Sequence, residues 1–411
     1  MKRQGWMAGI AAAALLALLA GCAGQFQQLE AELRLHNQQY PEAIALLRET
    51  LAADPGNCPA RAKLGFALYR SGQMDAAIGE FQQVLAVRPG DPLATLYLGM
   101  AYAATDQVGR ALEVWQGYTN PGKPLVEAEI RRQVTLVQIA YSHKLAQAAL
   151  TQEKALGAAS AEPGTVAVCY FADLTPDRRL AAFQKGLAAM VAADLGKVKT
   201  LKVIERLRLQ ALLAEMQLGQ TGIVDPQSAP RVGRLLGAEK LMVGSLAGGS
   251  IQTAMSLTSS SRAAVLGSSQ MTVATEDFYR LPAGLIRAAA DIAGIVLSPA
   301  EAAAIGIPHT RSLKAFTYYG QGLDALDAGR YAAARNLFFL AVEEDPEFDL
   351  ARRALEGTPG DDAPSPAALA ATPLAQVIAQ FETAVSQAEA AQSAANAEAE
   401  EVEAASGGGG Y

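Results

Sequence analysis

A period of 34 residues is the feature that most restricts how this chain can fold. Identical residues recur at this spacing between residues 43 and 111, and small and large apolar types keep the same phase. The recurring sets are Leu51 and Leu85, Pro55 and Pro89, Gly65 and Gly99, and Ala43, Ala77 and Ala111. Such a period predicts one helical hairpin per repeat, and hairpins stack because a single one cannot bury its apolar face.

These repeats resemble the tetratricopeptide family. Leu64 and Gly65 fall on the first helix of a repeat, and Ala77 and Phe81 fall on the second. We expect about three repeats in the N-terminal region, with residues 25–38 as the first front helix and the pattern fading after Tyr118. Another copy follows a long insertion, between residues 318 and 346.

Stacked repeats form a concave surface that commonly holds peptides or partner proteins, so protein binding is the expected role of this region. The alternative is that the helices only space the central domain from the membrane. We take the residues of the repeat signature as candidate partner-binding positions. They are Leu64, Gly65, Ala77, Phe81, Gly99, Ala111 and Trp115 in the N-terminal repeats, and Gly322, Ala334 and Phe338 in the C-terminal copy.

The N-terminus has the pattern of a bacterial lipoprotein signal. Lys2 and Arg3 precede an apolar run that is too short for a transmembrane helix, and the run closes with the sequence Leu-Ala-Gly-Cys at Cys22. The resemblance implies cleavage before Cys22 and its acylation, with palmitate among the chains that anchor the mature protein. Ala23 follows, as in outer-membrane lipoproteins, so we expect an outer-membrane anchor facing the periplasm. An ordinary secretory signal is the alternative.

Composition excludes several classes of function. The net charge of −7 gives no basic surface for nucleic acid. His36, His143 and His309 are scattered without ligand spacing, so we predict no metal and no cofactor. No catalytic set of Ser, His, Asp or Cys can be assembled from the sequence, so we predict no enzyme. Cys58 and Cys169 are expected to be free thiols.

The periodicity changes in the central region, residues 164–297. A buried strand at 165–171 is followed by an amphipathic helix at 177–196 and a second strand at 201–204. Further on, residues 250–258 and 263–275 alternate like a hairpin, and a helix from about Asp277 to Val296 closes the region. This order predicts an α/β layer with helices covering a mixed sheet.

At these residues the chain resembles the curli production assembly and transport (CsgG-like) lipoproteins, whose core is similar to the N-terminal domain of the TolB protein. The motif residues are Glu205, Arg206, Gly219, Gly222, Gly237 and Gly244. We assign them structural roles: Glu205 and Arg206 would cap and orient the following helix, Gly219 and Gly222 would permit a turn, and Gly237 would end a helix.

One departure from the family bears on function. The curli channel inserts two amphipathic hairpins per subunit that build its pore, one after the Gly-Ser strand and one before the closing helix. Here six residues separate Ser245 from Gln252, and Ala274 leads almost directly to the helix at Asp277. We therefore expect a relative that keeps the periplasmic domain and lacks the pore, since a membrane strand needs about 9–11 residues.

The sequence thus predicts an α+β multidomain protein in which tetratricopeptide hairpins flank a CsgG-like α/β domain. The expected segments are a signal peptide at 1–21, repeats at 22–160, the CsgG-like domain at 164–297, a linker and repeat at 298–356, and a partly disordered, Ala-rich acidic tail at 357–411. Two arrangements of the C-terminal repeat stay open: it packs on the N-terminal stack, or it contacts a neighbouring subunit.

The predicted function is that of a lipid-anchored accessory or scaffold protein in an envelope secretion or surface-structure assembly system, binding partners through its repeats. Some relatives of the central domain serve as accessory or regulatory lipoproteins. Two alternatives stay open: a pore-forming channel subunit, and a regulator of a cell-wall synthase. A homo-oligomer is compatible with each of the three.

Overall fold

The structure is a computed structural model that describes residues 27–155, 161–217, 224–225 and 227–407. These residues form two compact units: the first contains the residues up to Ile130 and those from Val385 onward, and the second is Arg131–Ala384. The fold is α+β, with paired helices and a five-stranded mixed sheet, which confirms the predicted class. Across the described ranges, no helix combines the length and apolarity needed to cross a membrane.

The first unit begins with helices in successive pairs. They are α1 (27–36), α2 (Tyr40–Ala53), α3 (Cys58–Arg70), α4 (Met74–Val87), α5 (Pro92–Ala104) and α6 (Val108–Trp115). Asn57 and Asp91 start the front helices of the second and third pairs, because each side chain accepts a hydrogen bond from the backbone N–H three residues later, at 3.0 and 3.1 Å. A proline in the first turn of each of these helices reinforces the start.

Two long helices contribute residues to both units: α7 (Pro124–Thr151) and α17 (Leu374–Gly407). Helix α17 is continuous through much of the tail that the sequence analysis expected to be partly disordered. Val377, Phe381 and Val385 recur every four residues on one face of the helix and are buried. In the first unit, the Gln392 side chain also accepts a hydrogen bond from the Leu125 N–H at 3.0 Å.

The second unit contains the sheet, in the order β2-β1-β3-β4-β5. Its strands are β1 (Glu162–Asp173), β2 (Lys202–Val203), β3 (Ala238–Ala247), β4 (Ile251–Ser259) and β5 (Ala264–Val273). Strand β1 runs parallel to β2 and β3, and the pairs β3–β4 and β4–β5 are antiparallel. Residues Val166 to Phe171 of β1 are all buried, because helices and neighbouring strands enclose both of its faces.

The helices around the sheet are α8 (Ala181–Leu195), α9 (Arg206–Glu215), α10 (Ala229–Leu236) and α11 (Leu281–Ala293). The single closing helix expected from about Asp277 is divided into a 3₁₀ helix, Thr275–Arg280, and α11. Pro282 explains the division, since proline fits the first turn of a helix but not its interior. Residues 248–250 join β3 to β4, and Ala274 joins β5 to the 3₁₀ helix, so both connections are short.

The second unit continues with α12 (Pro299–Ile305), α13 (Leu313–Asp327), α14 (Tyr331–Glu344), α15 (Asp349–Gly357) and α16 (Pro366–Ala371). Helix α13, the front helix of the C-terminal repeat, packs directly on α8. Gly320 makes this approach possible, because a Cβ there would lie 1.9 Å from the carbonyl oxygen of Ala182. The repeat thus joins the core of the sheet domain, an arrangement that neither sequence-based option included.

Candidate functional site

The repeat signature residues of the first unit lie in its core. Phe81 sits over Gly65, where a Cβ would come within 2.6 Å of the ring, and Trp115 covers Gly99 in the same way. The Trp115 indole N–H also donates a hydrogen bond to the Leu96 carbonyl at 3.0 Å. The set as a whole, Leu64, Gly65, Ala77, Phe81, Gly99, Ala111 and Trp115, is buried. These positions hold the helix pairs together. The prediction that they contact a partner is therefore corrected, because they lie in the core of the repeats.

A different group of side chains reaches the surface on the front helices. Phe66 and Tyr69 of α3 and Tyr97 of α5 are only partly buried. The ring of Tyr97 lies 4.7 Å from that of Phe66 and 5.3 Å from that of Tyr69, measured between centroids. We call these three residues the aromatic patch. Phe66 and Tyr69 stand close in sequence to the repeat positions Leu64 and Leu68, which are buried, and this placement is the sequence signal that could have identified them.

Charged groups border the aromatic patch. The guanidinium of Arg70 lies 5.9 Å from the ring centroid of Phe66 and 5.7 Å from that of Tyr40, within the range of a cation–π interaction. Lys63 of the same helix α3 forms an ion pair with Glu32 of α1. The front helices therefore present partly exposed aromatic rings with charged groups at their margin, a composition typical of protein-binding surfaces.

The C-terminal repeat has the same internal packing but a different environment. Phe338 covers Gly322, and Ala334 is also buried, so these signature residues too lie in the core. On the front helix, Phe316 packs on Phe183 of α8, with a centroid distance of 4.6 Å. The front face of this repeat is consequently occupied by the sheet domain.

A buried charge network joins the C-terminal repeat to the sheet domain. Asp327, at the end of α13, is only 3% exposed and accepts bonds from Arg206 at 2.6 Å and from Lys185 at 2.7 Å. The Tyr170 hydroxyl lies 3.4 Å from the same guanidinium and donates to the side chain of Gln210 at 3.0 Å. Arg206 thus holds the repeat and does not cap α9, which corrects the capping role predicted for it.

The electrostatics of this network favour the charged pair. Burial alone lowers the pKa of Arg206, but the Asp327 carboxylate and the Tyr170 hydroxyl offset it, and the net pKa lies above its ordinary value. Burial, followed by the charge of Asp327, raises the pKa of Tyr170. Arg206 therefore stays protonated and Tyr170 stays neutral near neutral pH, so these two groups form a fixed structural connection.

The remaining motif residues have structural positions. Glu205 precedes α9, but its side chain makes no cap and instead accepts a hydrogen bond from Gln138. Gly237 ends α10 in the left-handed region with a φ of 69°. Gly244 allows close packing, since a Cβ would lie 2.5 Å from the ring of Phe171. Three predicted sites, Gly219, Gly222 and the lipidation site Cys22, lie outside the described residues.

Two histidines have carboxylate partners that the sequence analysis missed. The Nδ1 atom of His143 lies 2.8 Å from an oxygen of Glu215, and the Nε2 atom of His309 lies 3.0 Å from Asp194. The partners are distant along the chain, so residue spacing gave no signal. Over the described part of the chain, no group of three His, Cys, Asp or Glu side chains is arranged to hold a metal ion.

Comparison with known families confirms both resemblances. Residues 146–278 match the family of the curli production assembly/transport component CsgG, and residues 34–94 match the tetratricopeptide repeat family. Neither is a family of enzymes. No curated protein matches the chain. Together the two matches support a role in protein interaction that is carried by repeats and related to curli assembly.

Several solved structures are similar to parts of the chain. A structure of MamA AMB-1 is 26% identical over 23% of this chain, with a TM-score of 0.22, and the match spans about half, 51%, of that protein. The lipoprotein GNA1162 from Neisseria meningitidis is 15% identical over 33% of this chain and 100% of its own, with a TM-score of 0.25. A tetratricopeptide repeat protein from Parabacteroides merdae is 12% identical over 82% of this chain and 98% of its own, with a TM-score of 0.25.

Proposed function

We propose that this protein is a lipid-anchored periplasmic scaffold of an envelope secretion or surface-structure assembly system, and that it recruits a protein partner through the aromatic patch. Cys22 is the proposed lipidation site, at the end of a lipoprotein-type signal. The match to the curli assembly family supports a place at the outer membrane, facing the periplasm.

The aromatic patch is the observation that carries the binding role. Phe66, Tyr69 and Tyr97 keep part of their rings at the surface while the signature residues beside them are buried. Partly exposed aromatic side chains cost free energy in water and supply most of the binding energy at many interfaces. Because the rings come from the front helices of consecutive repeats, an extended or helical segment could contact both repeats at once.

The two repeat regions are not interchangeable in this role. The front helix α13 of the C-terminal repeat packs on α8, so its equivalent surface is taken by the sheet domain. The front helices α3 and α5 keep the aromatic patch at the surface. Partner binding is therefore assigned to the N-terminal repeats, and the C-terminal repeat is assigned to building the sheet domain.

Site-specific cross-linking tests this assignment in cells. A photoreactive phenylalanine replaces Phe66 in one strain and Val87 in a matched strain, since Val87 is 70% exposed but lies on the second helix α4. We expect one discrete adduct at position 66, absent at position 87 and lost with Tyr69→Ala and Tyr97→Ala. Equal adducts at both positions, or none at position 66, would contradict binding by the aromatic patch.

The anchor and the channel alternative have separate tests. Cys22→Ser is expected to abolish labelling by a palmitate analogue and to release the protein from the membrane fraction, and retention of the label would refute the anchor. For the alternative, the detergent-solubilised protein is sized by light scattering and added to planar bilayers. We expect no conductance, because residues 248–250 and Ala274 leave no length for pore hairpins. A ring-shaped oligomer that conducts would refute the scaffold role and show that the protein is a channel subunit.

A further inference from the structure

A cleft of about 470 Å³ lies beside the edge strand β5 in the second unit. Arginines from three elements line it: Arg280 of the 3₁₀ helix, Arg287 of α11, and Arg311 of the segment before α13. Met271 of β5 and the ring of Tyr279 line it as well. The cleft therefore combines an apolar wall with three permanent positive charges.

The positive charges of the cleft are only partly balanced. Arg280 pairs with Asp277, with 3.3 Å between the Nε atom and a carboxylate oxygen. Arg311 lies 5.0 Å from the centroid of the Tyr279 ring, so it is held by an aromatic face. In the described part of the chain, no carboxylate lies within 4.0 Å of Arg287 or Arg311. Like charges gathered in one cleft repel each other, and binding of an anionic group relieves that repulsion.

The chain itself carries a group of opposite charge. Glu398, Glu400 and Glu401 follow one another near the end of α17, and their side chains are exposed. Over the ranges that the structure covers, none of the three forms an ion pair. Glu398 and Glu401 are three residues apart and therefore project from the same face of the helix. We call this segment, residues 398–401, the acidic segment.

We propose that the arginine-lined cleft of one copy of this protein binds the acidic segment of a second copy. Arg287 and Arg311 of the cleft, and the three glutamates of the acidic segment, have no ion-pair partner among the described residues of a single chain, and their charges are opposite in sign. Arginine suits this contact because its planar guanidinium can form two parallel hydrogen bonds with one carboxylate. If each copy gives its acidic segment to the other, the two contacts are equivalent and the assembly closes as a symmetric dimer.

Sedimentation of the full chain in detergent tests the proposal by charge reversal. The variants are Arg287→Glu with Arg311→Glu, and Glu398→Arg with Glu401→Arg. Arg48→Glu is the control, since Arg48 is an exposed arginine of α2. We expect the wild type and the control to dimerise at low salt, and each reversed variant to dimerise at least tenfold more weakly. An equimolar mixture of the two reversed variants is expected to regain dimerisation, because each cleft then meets a segment of opposite charge, and one chain with both reversals is expected to dimerise for the same reason.

The proposal is overturned if the wild-type chain is monomeric at low salt, or if either charge reversal leaves dimerisation unchanged. Raising the salt from 50 to 500 mM is expected to weaken the dimer, because exposed charges are screened over shorter distances. A folded state identical to the wild type is verified for each variant by circular dichroism and by the midpoint of thermal unfolding.

A peptide measurement identifies the occupant directly. A fluorescent peptide of residues 394–405 is titrated against the full-length variant Glu398→Gln, Glu400→Gln and Glu401→Gln, whose own acidic segment no longer competes. We expect binding that is lost with Arg287→Glu and Arg311→Glu, and no binding of a peptide with glutamine in place of glutamate. Failure of the acidic peptide, together with arginine-dependent binding to phosphatidylglycerol vesicles, would assign the cleft to lipid headgroups and refute a second copy.

Discussion

The N-terminal repeats and the C-terminal repeat share one internal packing rule. In each, a glycine on the front helix receives an aromatic ring from the second helix. A Cβ on Gly65 would lie 2.6 Å from the ring of Phe81, and a Cβ on Gly322 would lie 2.4 Å from the ring of Phe338. This is the part of the structure that the 34-residue period describes, because it depends on residues close together in sequence.

The two regions differ in what lies on their front helices. On α3 and α5 the aromatic patch stays partly exposed, whereas Phe316 of α13 is buried against Phe183 of α8. The repeat signature therefore specifies how a helix pair is built and leaves open what the pair binds. In one region the aromatic rings of the front face are partly exposed, and in the other the same kind of face is part of a domain core.

The largest expected effect concerns the charge that fixes the C-terminal repeat. Asp327→Asn removes the carboxylate that Arg206 and Lys185 share, which leaves the nearly buried Arg206 without a counter-charge and Lys185 with only the exposed Asp324. Loss of one partner from a buried pair costs about 3–5 kcal/mol. We expect the unfolding transition of the second unit to move to much lower denaturant concentration.

Asp324→Asn is the matched control for Asp327→Asn. Its carboxylate also pairs with Lys185, at 3.0 Å, but its side chain is 43% exposed. Exposed pairs contribute about 0–1 kcal/mol, so this variant should be close to the wild type. Equal effects of the two substitutions would show that the buried network does not fix the repeat.

The second prediction tests the close approach of α13 to α8. Gly320→Ala would place a Cβ 1.9 Å from the carbonyl oxygen of Ala182, and backbone cannot give way as a flexible side chain can. Overpacking of this kind costs about 1–3 kcal/mol. Gly79→Ala in α4 is the control, because nothing lies within 4 Å of a Cβ placed there. The higher helix propensity of alanine should stabilise this variant by about 0.5–1 kcal/mol. The midpoint of thermal unfolding should fall for Gly320→Ala and rise for Gly79→Ala.

The third prediction concerns the exposed face of the N-terminal repeats. Phe66→Ala and Tyr97→Ala should each cost little stability beyond the contact between the two rings, and a double-mutant cycle should give a coupling of about 1 kcal/mol for this edge-to-face pair. Chemical denaturation measures the coupling, and the cross-linking assay at position 66 measures the partner. A stability loss as large as that of Asp327→Asn would show that the aromatic patch is a core element and not a binding surface.

The sequence predicted the elements whose residues lie near one another along the chain. The helix pairs followed from the 34-residue period, and the β4–β5 hairpin followed from alternation of side chains. The contacts between segments that are distant along the chain were not predicted. Arg206 meets Asp327, and His143 meets Glu215, only because the fold brings distant segments together.

The candidate sites failed for a related reason. The residues that best identify a repeat are the ones that it needs for its own packing, so Gly65 and Phe81 were misplaced as partner contacts. The exposed neighbours are the residues proposed to bind a partner, and the period does not constrain them. In the tail, the alanine-rich sequence gives only a weak apolar pattern, yet Val377, Phe381 and Val385 are buried on one face of α17.

The smallest expected effect lies in the segment that leads to the C-terminal repeat. Glu301 of α12 accepts hydrogen bonds from the N–H groups of Lys199 and Ser298, each at 2.9 Å, and the pKa of its carboxyl falls from 4.5 to about 2. Because the folded protein prefers the ionised carboxylate, its stabilising effect is complete above about pH 4.5 and is lost as the pH falls towards 2.

Glu301→Gln removes this pH dependence and leaves the shape of the side chain. We expect the wild type to unfold at a slightly higher temperature than the variant at pH 7, and the difference to shrink between pH 4.5 and pH 3 as the carboxyl begins to be protonated. A difference that is constant with pH would mean that the Glu301 charge does not help to attach the C-terminal repeat, and that α13 is held by its packing on α8 and by Asp327 alone.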